Sequence, residues 1–115
     1  MMSNAISTGS DYQRRAFVPI SDSYSSRQFS WGAIDSFPHL FFTIDDDEFY
    51  RLLGSGVIWD WNDRYGTYLD EYEIGIFDHD LETMLDEVVD SVGEGDISDA
   101  LRAAIAEGTG IYFVF

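Results

Sequence analysis

Cysteine and lysine are both absent from the 115 residues, and proline occurs only at positions 19 and 38. Without cysteine there are no disulfides, thiolate metal centres or Cys nucleophiles. Without lysine, six arginines stand alone against 22 Asp and Glu, a net charge of −16. A field of that sign repels nucleic acid and anionic membrane surfaces, so direct binding to either is excluded. An apolar run of membrane-spanning length is missing, as is the apolar stretch of a secretory signal. The expectation is a soluble, cytoplasmic protein, working in the host cytoplasm if phage-encoded. GxSxG, P-loop, GxGxxG and HExxH patterns are also missing.

What is present argues for a core. Hydrophobic residues make up 45% of the chain and aromatics 17%, too many for a disordered polyelectrolyte, and the length suits a single domain. The charge is uneven. Residues 1–34 hold Asp11 and Asp22 against Arg14, Arg15 and Arg27, whereas 35–115 hold 20 acids against Arg51, Arg64 and Arg102. The Ser-rich start suggests a mobile polar tail over 1–15 and a single acidic α+β domain over 16–115, its folded acidic part opening near Phe37.

Local patterns give the expected elements. His39–Ile44 (HLFFTI) is an apolar run that predicts a buried strand. Asp45 with Glu48 three places on is a capping-box spacing, and Gly54 is the expected C-cap of a short helix. VIWDW over 57–61 predicts a second strand, with Trp59 and Trp61 on one face. Asn62, Asp63 and Gly66 would turn the chain into Thr67–Glu71 and a strand over Tyr72–Phe77, a hairpin or three-strand meander. Leu81, Met84, Leu85, Val88, Val89 and Val92 follow a helical stripe, begun by Asp78 or Asp80 and ended by Gly93. Asp96 is the expected N-cap of a last helix over 97–107, and Ile111–Phe115 reads as a central strand. The predicted order is β-α-β-β-α-α-β, an α+β fold with a small mixed sheet and about three helices on one face.

Acids recur on every exposed segment: Asp45, Asp46, Asp47 and Glu48; Asp70, Glu71 and Glu73; Glu82, Asp86, Glu87 and Asp90; Glu94, Asp96 and Asp99. A helix face bearing four acids and no basic partner forgoes about 0.2–0.5 kcal/mol per missing pair, so something besides local stability maintains it. Carboxylates spaced along helices can occupy sites built for phosphates, and their field speeds association. The expected partner-binding residues are Asp45, Asp46, Asp47, Glu48, Asp70, Glu71, Glu82, Asp86, Glu87 and Asp90. The expected partner is a basic nucleic-acid-binding protein or nuclease, and self-repulsion favours a monomer.

In this character the chain resembles the DNA-mimic proteins of phages, including anti-CRISPR and anti-restriction inhibitors. It equally resembles the acidic immunity proteins that neutralise nuclease toxins. The ending Ala106–Phe115 (AEGTGIYFVF) is similar to the last helix and strand of barstar-type ribonuclease inhibitors. These likenesses imply a stoichiometric inhibitor that covers a basic nucleic-acid site, with no enzyme activity, cofactor or metal. A haloadapted small protein-binding subunit is the alternative, since abundant Asp without Lys also suits high salt; nine Phe, seven Tyr and three Trp speak against it.

Other chemistry is weakly signalled. Asp60, Asn62 and Glu71 match EF-hand positions one, three and twelve, but Arg64 and Tyr65 stand where an oxygen ligand and a glycine are needed. His79, between Asp78 and Asp80, should have a raised pKa as a surface histidine near a helix start. His39 opens an apolar strand. Arg51 and Arg64 are expected in internal ion pairs.

Overall fold

A computed structural model describes residues 12–20 and 38–115. The elements run β1 (Arg14–Pro19), β2 (His39–Ile44), α1 (Asp46–Ser55), α2 (Val57–Tyr65), β3 (Ile74–Phe77), α3 (Leu81–Val92), α4 (Asp96–Glu107) and β4 (Ile111–Val114). The strands form one sheet in the order β2-β1-β4-β3, antiparallel at every pairing. The fold is α+β as expected, but the sheet is antiparallel rather than mixed. β4 is central, as its wholly apolar sequence required.

Period-two alternation divides the sheet. Ala16 and Val18 of β1, Ile44 of β2, Phe77 of β3, and Ile111, Phe113 and the adjoining Phe115 enter one core with the helices. Each helix contributes to it: Phe49 and Leu52 from α1, Ile58 and Trp61 from α2, Met84 and Val88 from α3, and Ile97, Leu101 and Ala104 from α4. All four helices therefore cover the same face. Burying side chains of this size stabilises a fold by roughly 1.5–3 kcal/mol each. On the opposite face Phe17, Ile74, Ile76 and Val114 gather around Tyr112.

The largest correction concerns VIWDW. It is the body of helix α2, not a strand, and no meander exists over 56–77. Gly56, at φ 89°, ends α1 and turns directly into α2, a left-handed conformation that glycine adopts without steric penalty. The helix C-cap is thus Gly56 and not Gly54. Within α2, Ile58, Trp61 and Tyr65 lie at i, i+3 and i+7 and face inward, while Asp60 pairs with Arg64 one turn later. Helical spacing places Trp59 and Trp61 on different faces: Trp61 is fully buried and Trp59 is 49% exposed. Thr67–Glu71 is not strand either, and the predicted strand over 72–77 shortens to Ile74–Phe77.

β1 is the second correction. The proposed tail over 1–15 lies outside the described residues through position 11, but Arg14 and Arg15 open β1, and Arg14 is buried. Alternation in RRAFVP turns Ala16 and Val18 inward. Pro19 falls at the strand end, paired with His39 but beyond the β4 ladder, where its missing N–H does no harm.

Candidate functional site

The two acidic helix starts are built into each other. Asp45 caps α1 by accepting from Glu48 N–H at 3.1 Å. Glu48 does not complete the capping box back to Asp45. It crosses to α4, where its two carboxylate oxygens accept from Asp96 N–H at 2.8 Å and Ile97 N–H at 2.9 Å. In return the Asp96 carboxylate accepts from Asp45 N–H at 2.9 Å. Each helix therefore satisfies orphan donors of the other, with negative charge at a positive dipole end. Asp96 is the first helical residue and not the N-cap; Gly95 takes that place. Adding a Cβ to Gly95 would bring it within 2.5 Å of Glu48, so the carboxylate occupies space that only glycine leaves open.

Further acids are held by arginines. Buried Arg14 bonds Asp46 at 2.6 Å and Glu71 at 2.9 Å, and Tyr50 donates a short hydrogen bond to the same Glu71 oxygen. The guanidinium sits among four rings, those of Tyr12, Phe49, Tyr50 and Tyr72, at 4.4–5.9 Å from their centroids. Arg51 bonds Asp47 at 3.1 Å and reaches the Val92 carbonyl of α3. Arg64 bonds Glu87 at 2.8 Å, and the Trp61 indole N–H donates to Glu87 at 3.0 Å. Those bonds hold the Glu87 carboxyl below its ordinary range, the guanidinium contributing most. Arg102 pairs with Glu94 and lowers that carboxyl likewise. Arg51 and Arg64 thus act as expected, tying helices together.

The ten acids predicted to meet a partner consequently separate. Asp45 and Glu48 are helix caps, Asp46, Asp47, Glu71 and Glu87 are ion-paired, and Asp70 accepts from Glu71 N–H at 2.7 Å. Glu82, Asp86 and Asp90 remain, exposed on α3 with no hydrogen bond or ion pair among the described residues. They lie at i, i+4 and i+8, a stripe climbing about 6 Å per step. Glu82 and Asp86 line an open groove of about 560 Å³ between α3 and α4 with Leu85, Ile105, Ala106 and Arg102, whose guanidinium pairs with Glu94. The structure thus keeps three of the ten together as unengaged charge and spends most of the others on the fold.

No family model matches the chain, and no curated protein or solved structure matches it either.

Among the described residues no cluster of three His, Asp or Glu side chains is arranged to hold a metal. The EF-hand-like stretch is helical through Tyr65, and the Asn62 side chain binds the chain locally, donating to the Leu69 carbonyl and accepting from Leu69 N–H, both at 2.8 Å. His79 is exposed and its pKa is raised, chiefly by a 3.0 Å hydrogen bond with Asp78. Asp80, at the α3 N-cap position, makes no side-chain cap and adopts φ 58°. None of the described helices is long and apolar enough to cross a membrane.

The aromatic surface around Arg14 escaped the sequence reading. Tyr12, Tyr50 and Tyr72 are separated by 22 residues or more along the chain, and no periodic pattern joins them. They meet because the Arg14 side chain at the start of β1 reaches the Tyr50 hydroxyl on α1 and because the chain after Glu71 turns back along β4, with Tyr72 N–H donating to the Phe115 carbonyl at 2.9 Å.

Proposed function

We propose that the protein is a stoichiometric acidic inhibitor that covers the basic nucleic-acid-binding site of a target protein, in the manner of a DNA mimic. The observation that carries this reading is the stripe of Glu82, Asp86 and Asp90, three exposed carboxylates on one helix, none of them ion-paired among the described residues. Each like-charged i,i+4 pair is unfavourable for the isolated helix by about 0.2–0.5 kcal/mol, so a cationic partner would relieve repulsion as it binds. Rigid presentation matters as much as charge. α3 is fastened at Glu87 to α2 and at Val92 to α1, so docking orders little that is not already ordered. The action requires no turnover: the protein competes with nucleic acid for one surface, and steering by net charge −16 supplies a fast on-rate.

The test begins with capture from a lysate at about 0.1 M salt and again at about 0.5 M, where screening shortens the reach of exposed charge. The partner recovered is then assayed for nucleic-acid binding by fluorescence anisotropy, with and without the protein. Release of nucleic acid at one-to-one stoichiometry supports inhibition. A partner that binds the protein and nucleic acid together refutes it. Neutralising a secreted or plasmid-borne nuclease would narrow the reading to an immunity protein.

A further inference from the structure

Tyr72 is bulky, 67% exposed and held at φ 66°. A left-handed conformation at a non-glycine residue is unfavourable by about 1–2 kcal/mol, and glycine or asparagine would relieve it. The ring packs against Tyr12, edge to face at a centroid distance of 5.0 Å. Tyr50, 47% exposed, completes the group, its ring meeting the same buried Arg14 guanidinium as those of Tyr12 and Tyr72. Arg14 is itself matched by two carboxylates, Asp46 and Glu71, and the field of a second cation, Arg15, also reaches Tyr12.

We propose that Tyr12, Tyr50 and Tyr72 form an anchoring patch on which arginine side chains of a basic protein partner stack. The inference deepens the acidic-inhibitor reading and rests on it. Tyrosine buries a large contact area for only two side-chain torsions, and tyrosine and arginine are the residues most enriched at energetic centres of interfaces. The cluster already holds one guanidinium by this chemistry, with rings on its faces and carboxylates at its edge. A second, arriving from outside, finds the outer faces of Tyr50 and Tyr72 with Asp46 beside them, 65% exposed. Its planar, weakly hydrated shape suits stacking in a way that an ammonium does not. In this scheme the α3 stripe attracts the partner and the tyrosines retain it.

The probes are an oligoarginine and an oligolysine peptide of equal length, titrated into protein carrying labelled tyrosine rings and backbone amides and followed by NMR. The arginine peptide should move the Tyr50 and Tyr72 ring resonances at lower concentration than the lysine peptide. Tyr72→Gly, which relieves the backbone strain, should weaken arginine-peptide binding about fivefold and leave lysine-peptide binding within about twofold. Tyr50→Phe retains the ring and should keep the arginine preference. If both peptides bind equally, or the rings stay still while α3 amides shift, the patch is refuted and the acidic-face reading stands. If neither peptide moves any resonance, both readings fall. Should Tyr72→Gly not fold, the ring shifts of the parent protein decide the matter.

Discussion

Replacing Glu48 by glutamine tests the junction between α1 and α4. The parent carboxylate is 5% exposed and accepts from two backbone donors at a helix start. Glutamine keeps one acceptor and turns an NH₂ toward the other donor. The unsatisfied N–H is worth about 1–3 kcal/mol. Loss of the charge at the dipole end adds about 0.3–2 kcal/mol. A destabilisation of about 2–4 kcal/mol is expected, and for a domain of this size that lowers the melting temperature by roughly 10 °C. Thermal melts by far-UV circular dichroism and urea unfolding at neutral pH measure it. Asp47→Asn is the control, because that carboxylate is exposed and bonds only exposed Arg51, a pair worth at most about 1 kcal/mol. Gly95→Ala should destabilise through the same junction, since its Cβ would displace Glu48, and its effect should not add fully to that of Glu48→Ala. A Glu48→Gln protein melting within a few degrees of the parent, or no lower than Asp47→Asn, would refute the argument.

Neutralising Glu82, Asp86 and Asp90 together as Gln, Asn and Asn should leave the fold unchanged or raise stability by up to about 1 kcal/mol, while slowing association with a captured partner in stopped-flow measurements. Glu87 gives a pH signature. Its carboxyl lies below the ordinary 4.5, so the stability it contributes is present above that value and lost as pH falls through the lowered one. Glu87→Gln should therefore be the less stable protein at neutral pH, and the gap should narrow as the pH falls below the ordinary carboxylate range. Gly75→Ala would push a Cβ to 2.9 Å from the Phe77 ring and 3.2 Å from Leu69, so unfolding curves should show a loss of about 1–3 kcal/mol.

Elements whose signal is local were legible in the sequence. The α3 stripe, the Asp45 cap and β4 all reappear, because each is set by periodicity or capping within a dozen residues. The β2 run is a strand but not a buried one: it lies at the sheet edge, paired only with β1, with Ile44 alone buried and Phe41 51% exposed. α2 was misread because β-branched and aromatic residues over five positions mimic a strand. Its helical period emerges only across nine residues and is enforced by burial of Ile58 and Trp61. β1 was hidden by two arginines and a Ser-rich neighbourhood. Arg14 belongs inside only because Asp46 and Glu71, far away in sequence, neutralise it there. The same limit governed the acidic site. Which carboxylates are free depends on where the arginines reach: Glu87 and Asp86 are adjacent in sequence, yet α2 engages one and leaves the other.

The sheet sets an order of events during synthesis. Its middle pair joins β1 to β4, so Arg15 must wait for Val114, the whole helical layer having been made in between. Contacts that distant in sequence form slowly. Until the last strand arrives, β1 can ladder only with β2, and its other edge, with Ala16 and Val18 alongside, stays open to whatever strand is nearest. A nascent or truncated chain lacking β4 is therefore the form most exposed to mispairing and aggregation, and the emergence of β4 is the step that ends that exposure.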